Sequence, residues 1–182
     1  GLGWFLASLL CKTSGVMLPV VVLLYHVWKS GRITLGNIRT VAPFFLVSLV
    51  LGLVTIHFQH QRAIGGMELP LGGPVSRFVN AAHVIVFYLG KILLPIHLVP
   101  IYPQWRVEPV VAGDFLPWLS LIALAAACWH LHTGWGRHVL FGIGAFVALT
   151  VPVLGFVPMS YLRLSWVADH FVYLPMFEIV RA

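Results

Sequence analysis

Residues 41–58 constrain the fold of this chain more than any other stretch, because they form an apolar run without a single Lys, Arg, Asp or Glu. An α-helix needs roughly 17–25 such residues to cross the hydrocarbon core of a membrane. The composition agrees, since 60% of the 182 residues are hydrophobic and only 9% are charged, against about 25% in a soluble domain. The sequence therefore predicts an integral membrane protein.

Further apolar runs separated by short polar links predict an all-α, polytopic transmembrane bundle with about five to six membrane segments. These runs cover residues 1–10, 16–28, 77–94, 118–131, 139–156 and 171–180. Lys12 to Gly15 interrupts the first pair with a helix-start signal, which predicts a hairpin or a broken helix. The last run is too short to span, so we expect residues 1–182 to be part of one transmembrane domain of a longer protein, truncated at both ends.

The net charge of +6 does not indicate a nucleic-acid partner, because Lys and Arg are scattered singly between apolar runs. Lipid headgroups and a cytoplasmic excess of positive charge explain this distribution better. The nine histidines form no metal-ligand set, since His57 and His60, or the group at 130, 132 and 138, have no carboxylate or cysteine at ligand spacing. No metal and no cofactor is predicted, and no nucleophile motif is present.

The course of residues 77–94 leaves two topologies open. One side of this run is polar at helical spacing, with Asn80, His83 and Lys91 beside Phe87. If the run spans, the loop 29–39 and residues 157–175 lie together on the cytoplasmic side. If it returns to its starting side, residues 58–114 and 157–175 lie outside, and the turn HTGWGRH (132–138) joins loop 29–39 inside. Pro95 favours the return.

Residues 157–175 (VPMSYLRLSWVADHFVYLP) hold Arg163, Asp169 and His170 among aromatic side chains. Charges beside apolar helices are costly unless they are paired or used, so this stretch is either the edge of a site or a solvated interfacial loop. Arg163 and Asp169 are candidates for a pair. Basic side chains near predicted membrane boundaries form either an anion site or ordinary headgroup contacts: Lys12, Arg62, Lys91, Arg106 and Arg163.

Several phrases together carry a family resemblance: CKTSGVMLPVVVLL, KSGRI, RTVAPFFLVSLVLGLVTIHFQHQRAIGG, FYLGKILLPIHLVPIYPQW and VPVLGFVPMSYLRLSWVADHFVYLP. They resemble the membrane half of bacterial proteins that join a polytopic domain to C-terminal tetratricopeptide repeats. Those proteins are similar to the transmembrane and tetratricopeptide-repeat O-mannosyltransferases, which have the GT-C glycosyltransferase fold. The resemblance covers nearly the whole chain.

The resemblance implies a transferase of the bacterial inner (plasma) membrane that takes a mannose-like sugar from a polyprenyl-phosphate carrier. The acceptor would be a protein or glycan on the non-cytoplasmic face, and membrane lipid the surrounding partner. The implied catalytic acidic pair lies upstream of this chain, so no catalytic residue is assigned here. The residues expected to line the carrier-phosphate and sugar pocket are Lys12, Lys91, Arg106, Arg163, Asp169, His170 and Tyr173.

Two other functions remain open at this stage. The helices are alternatively a non-catalytic anchor for a periplasmic tetratricopeptide-repeat domain that binds proteins. A transporter of a lipid-linked solute ranks third, because broken helices and Lys91 in an apolar run fit it, whereas no inverted repeat is visible.

Overall fold

The computed structural model describes residues 1–65, 71–99, 101–105, 108–173 and 175. This described part is helical and contains no strand, which confirms the predicted all-α class. Its α-helices are α1 (Leu2–Cys11), α2 (Leu18–Ser30), α3 (Leu35–Phe58), α4 (Pro74–Leu93), α5 (Leu116–His130) and α6 (Gly136–Thr150). Short 3-10 turns and one π-helical turn lie between them: Thr13–Met17, Gln59–Ile64, Ala112–Phe115, Val151–Val153, Ser160–Arg163 and Asp169–Phe171.

Three helical stretches of the described part are long and apolar enough to cross a membrane: Leu35–Gln61 with 27 residues, Ala112–His130 with 19 and Gly136–Val153 with 18. The first two are only 11% and 6% buried over their most apolar windows. Because exposed apolar surface of this extent is stable in lipid rather than in water, these helices support the prediction of a membrane protein. Among the described residues, candidate spans are fewer than the five to six segments predicted. α1 and α2 are shorter than a span, and most of the predicted run 171–180 lies outside the described residues.

The predicted break in the first apolar region is confirmed. Lys12 has extended backbone (φ −154°, ψ 121°) and ends α1. The chain then reverses through the 3-10 turn into α2. α1 lies along α3, with the rings of Phe5 and Phe44 5.4 Å apart, and α2 lies along α6, with Tyr25 and Phe141 6.2 Å apart. The two short helices therefore form a hairpin between α3 and α6.

The link predicted at 29–39 is shorter in the structure, because α3 already begins at Leu35. The Thr34 hydroxyl accepts a hydrogen bond from the Asn37 backbone N–H at 3.3 Å. This is the usual way in which a threonine satisfies an otherwise unpaired N–H at a helix start. Arg39 consequently lies in the second turn of α3 and not in the link.

The ends of the helices form two different surfaces. At one end, the rings of Trp28 and His138 are 5.4 Å apart, which brings together the α2–α3 and α5–α6 connections. We call residues 28–34 and 130–138 the basic end. At the other end, α4 packs against the segments that follow it and that follow α6. We call α4, the described residues of 94–111, and residues 154–173 the α4 layer.

After α4, the chain runs back along the same helix. Lys91 in the last turn of α4 contacts residues 96 and 97, Phe87 contacts Tyr102, and Asn80 contacts Trp105. α5 then begins beside the first half of α4, where Trp118 donates to the Phe78 carbonyl at 3.0 Å. The connection from α3 to α5 thus begins and ends at the same end of the bundle. This is the returning topology.

Candidate functional site

The buried face of α4 holds the layer together. Tyr88, Val84 and Ile85 are at most 2% exposed. They belong to one apolar cluster with Trp166 and Val167 of the segment that follows α6. Burial of large side chains contributes on the order of 1.5–3 kcal/mol each, so this contact is the main apolar connection between the two parts of the layer.

Asn80 is a buried polar residue whose amide has a defined partner. Its Oδ1 accepts a hydrogen bond from Trp105 Nε1 at 2.8 Å, and the Trp105 carbonyl accepts one from Trp166 Nε1 at 2.9 Å. Three segments that are far apart in the sequence are joined by this chain of bonds. Buried polar groups with satisfied partners favour a single packing arrangement.

Lys91 is half-buried, and its ammonium is held by the returning link. Nζ donates to the carbonyls of Ile96 at 2.6 Å and His97 at 3.1 Å. It also lies 5.1 Å from the centroid of the Tyr102 ring and 5.5 Å from that of Phe87, within the range of cation–π attraction. The predicted polar stripe of α4 is thereby confirmed at Asn80, Phe87 and Lys91, all of which face the link.

Tyr102 connects Lys91 to Asp169. While its ring lies beside the ammonium, its hydroxyl lies 3.0 and 3.1 Å from the two carboxylate oxygens of Asp169. The same hydroxyl is 3.2 Å from the His97 carbonyl and accepts a hydrogen bond from the Val99 N–H at 3.2 Å. Tyr102 therefore holds two opposite charges: the Lys91 ammonium lies against its ring, and the Asp169 carboxylate lies at its hydroxyl.

The backbone before Asp169 is fixed by Tyr88. The Tyr88 hydroxyl accepts a hydrogen bond from the Ala168 N–H at 2.9 Å and donates to the Ala168 carbonyl at 3.3 Å. Ser165 adds a second fixed point, because its hydroxyl donates to the Val167 carbonyl at 2.8 Å and accepts from the Tyr102 N–H at 3.2 Å. The position of the carboxylate is therefore set by α4 and the link together.

A narrow crevice lies next to this network, between the α1–α2 turn and the end of α6. Lys12 and Ser14 line one wall, and His170 lines the other beside Leu149 and Pro152. Its volume is about 30 Å³, room for roughly two water molecules. The Lys12 and His170 side chains are exposed, so two cationic or titratable groups stand at the mouth of a largely apolar crevice.

The predicted site residues therefore divide into groups. Lys91 and Asp169 meet through Tyr102, whereas Lys12 and His170 meet at the crevice. Arg163 and Tyr173 are exposed at the surface of the layer. The described residues do not include Arg106, Glu68 or residues 176–182, among which is Glu178. The side chain of Arg62 is also outside the described part. Within the part of the chain that the structure describes, no group of three His, Cys, Asp or Glu side chains is placed to hold a metal ion.

Hydrogen-bond donors at the start of α4 bind a carboxylate from the returning link. Glu108 Oε1 accepts hydrogen bonds from the Gly73 N–H and the Ser76 hydroxyl, both at 2.9 Å. The Gly73 bond, followed by the Ser76 bond, lowers the pKa of the Glu108 carboxyl below its ordinary value. Gly72 has φ +68°, and a Cβ there would lie 2.5 Å from the same carboxylate oxygen. The positive φ favours glycine at this position, and a larger residue would also displace the Glu108 carboxylate from the start of α4.

Tyr102 and Tyr88 are the site residues that the sequence did not reveal. Each acts on a partner more than sixty residues away. Both tyrosines lie in the phrase FYLGKILLPIHLVPIYPQW, which carries part of the family resemblance. That phrase does not indicate which distant residue either tyrosine contacts.

No family model, no curated protein and no solved structure matches this chain.

Proposed function

We propose that this chain is the membrane-embedded part of a GT-C-like glycosyltransferase. It would move a mannose-like sugar from a polyprenyl-phosphate carrier to a protein or glycan acceptor on the non-cytoplasmic face of a bacterial inner membrane. The observation that carries the proposal is the crevice with Lys12 and His170 at its mouth, beside the ordered Lys91–Tyr102–Asp169 network. A polyprenyl phosphate combines an anion with an apolar chain, and this end of the bundle offers cationic groups next to lipid-facing helices.

Each group has a defined role in this proposal. Lys12 would bind the carrier phosphate by a charge-assisted hydrogen bond, and the His170 ring would donate a second hydrogen bond. Because the crevice itself is small, the sugar would lie above its mouth, near Asp169 and Tyr173. The acceptor oxygen attacks the anomeric carbon, and the bond from that carbon to the phosphate oxygen breaks. The polyprenyl phosphate leaves with the electron pair, while a carboxylate outside this chain takes the acceptor proton.

A specific observation favours a second function, the non-catalytic anchor for a periplasmic tetratricopeptide-repeat domain. The donors of Lys91 bind link carbonyls, and the oxygens of Asp169 accept from Tyr102. Both charged groups therefore already stabilise the fold of the α4 layer. In an anchor, that network would serve only to hold the layer on the bundle.

The two functions are separated by a transfer assay on the purified full-length protein with polyprenyl-phosphate-linked sugars. If the transferase proposal holds, we expect His170→Gln and Lys12→Gln each to lower transfer by about tenfold or more, with a higher KM for the carrier. His130→Gln is the matched control, because His130 is an exposed histidine at the opposite end of the bundle. Unchanged transfer in both crevice variants would reject the pocket, and absence of transfer by the unmodified protein would favour the anchor.

A further inference from the structure

The basic end carries positive charge without acidic residues. Lys29, Arg32 and Arg137 are exposed there, and Arg39 follows in the second turn of α3. Neither 28–40 nor 129–139 contains an Asp or Glu. By contrast, the carboxylates that the structure describes, at 108, 114 and 169, all lie in the link and the α4 layer or directly before α5. The charge at the basic end therefore has no acidic partner of its own in these two stretches.

Two of these cations lie against the same pair of aromatic rings. Tyr25 and Trp28 have ring centroids 5.6 Å apart. Lys29 Nζ is 5.8 Å from the centroid of Tyr25, and Arg137 Cζ is 5.6 Å from that of Trp28. Trp28 packs at the same time against His138. The α2 and α6 cations are consequently held on one continuous surface.

The start of α6 at this surface favours an anion. Arg137 and His138 lie in the first turn of α6, where the helix dipole already places partial positive charge and acidic side chains are favoured instead. An anion beside Lys29 and Arg137 would offset this accumulation of positive charge.

Exposed tryptophans favour a position of this surface at the level of lipid headgroups. Trp129 and Trp135, at the same end, are 68% and 63% exposed. Exposed tryptophans at the ends of membrane helices are typical of the boundary between hydrocarbon and water. We therefore expect the cations of the basic end at the level of phospholipid phosphates.

We propose that the surface formed by Tyr25, Trp28, Lys29, Arg137 and His138 binds the headgroup phosphate of an anionic phospholipid. The phosphate would lie between the ammonium of Lys29 and the guanidinium of Arg137, with the acyl chains along α2 and α6. Zwitterionic lipids are disfavoured, because their own cation would approach an all-positive surface. This inference does not depend on the sugar-transfer proposal, which concerns the opposite end.

The test is the thermal unfolding midpoint of the purified protein in neutral detergent, titrated with phosphatidylglycerol. Phosphatidylcholine of the same acyl chains and inorganic phosphate are the comparison probes. We expect phosphatidylglycerol to raise the midpoint most, and added salt to weaken the effect. Lys29→Gln with Arg137→Gln should lower the apparent affinity for phosphatidylglycerol by about tenfold or more.

Two control variants identify the site. Lys29→Arg with Arg137→Lys keeps both charges and should retain the response, which separates loss of charge from misfolding. Lys12→Gln with Arg163→Gln removes the same charge at the other end and should leave the high-affinity response in place. An equal response to phosphatidylcholine, an equal response to inorganic phosphate, or an unchanged response of the Lys29→Gln, Arg137→Gln protein would each overturn the proposal.

Discussion

α5 and α4 lie side by side, yet different interactions fix them. In α5, Leu119 is 60% and Ile122 61% exposed, so most of its surface is left for lipid. In α4, eight residues are buried, and side chains such as Asn80 and Tyr88 make hydrogen bonds to distant segments. α5 is stable wherever a hydrocarbon phase surrounds it, whereas α4 depends on partners supplied by the rest of the chain.

This contrast indicates which part of the molecule is suited to hold functional residues in fixed positions. A lipid-facing helix tolerates many apolar side chains, because lipid adapts to its surface. The α4 layer tolerates few changes, because buried polar groups in it such as Asn80 and Ser165 have particular partners, and an unsatisfied buried group costs about 1–3 kcal/mol. Residues with defined positions are needed for binding and catalysis, and the α4 layer provides them at Lys91, Tyr102 and Asp169.

The largest effect is expected from truncating the apolar contact of the layer. Trp166→Ala should lower the free energy of unfolding by about 3–5 kcal/mol, because Trp166 is 5% exposed and its Nε1 binds the Trp105 carbonyl. Leu119→Ala on α5 is the control and should change it by less than about 1 kcal/mol. Chemical denaturation in detergent measures both. Equal losses would remove the distinction between the two helices.

A smaller effect is expected from the hydroxyl of Tyr88. Tyr88→Phe keeps the ring but leaves the Ala168 N–H without its partner, whereas the Ala168 carbonyl still accepts a hydrogen bond from the Phe171 N–H at 3.0 Å. We expect a loss of about 2 kcal/mol in the free energy of unfolding. Hydrogen exchange at residues 167–169 should become faster, with little change in α5. Unaltered exchange there would show that the bond does not hold the backbone before Asp169.

The smallest effect is expected at the start of α4, and it depends on pH. Because the pKa of Glu108 is lowered in the folded protein from 4.5, its contribution is fully present above about pH 4.5 and declines as the pH falls through the folded value. Glu108→Gln should therefore be less stable than the unmodified protein at pH 7. Unfolding midpoints measured down the acid range should converge. A difference that stays constant with pH would contradict the role assigned to this carboxylate.

Much of the fold was predictable because it follows from local pattern. The run 41–58 predicted a spanning helix, and α3 covers it. The interruption at Lys12 predicted a hairpin or a broken helix, and the structure has the hairpin. The polar side of residues 77–94 predicted which face of α4 meets other polar groups. Helix periodicity and chain breaks are encoded within a few residues, so they can be read without knowing the tertiary structure.

The remaining features depend on pairs that are distant in the sequence. The sequence indicated Asp169 as a candidate site residue among aromatic side chains, but it did not indicate that Tyr102 would be its partner. Glu108 is 32 residues from Ser76, in a proline-rich link without periodicity. The course of residues 77–94 was also undecided, because the local pattern of a returning helix resembles that of a spanning one.

The central claim is that α4 and its link return to one end of the bundle, opposite the basic end. Single cysteines at Ile101, Tyr173 and Thr133, all exposed, test it most directly after Cys11 and Cys128 have been replaced. A membrane-impermeant maleimide should label the Ile101→Cys and Tyr173→Cys proteins in intact cells. It should label Thr133→Cys only after the membrane is permeabilised. Labelling of Ile101→Cys and Tyr173→Cys from opposite sides, or of Ile101→Cys and Thr133→Cys from the same side, would contradict the returning path.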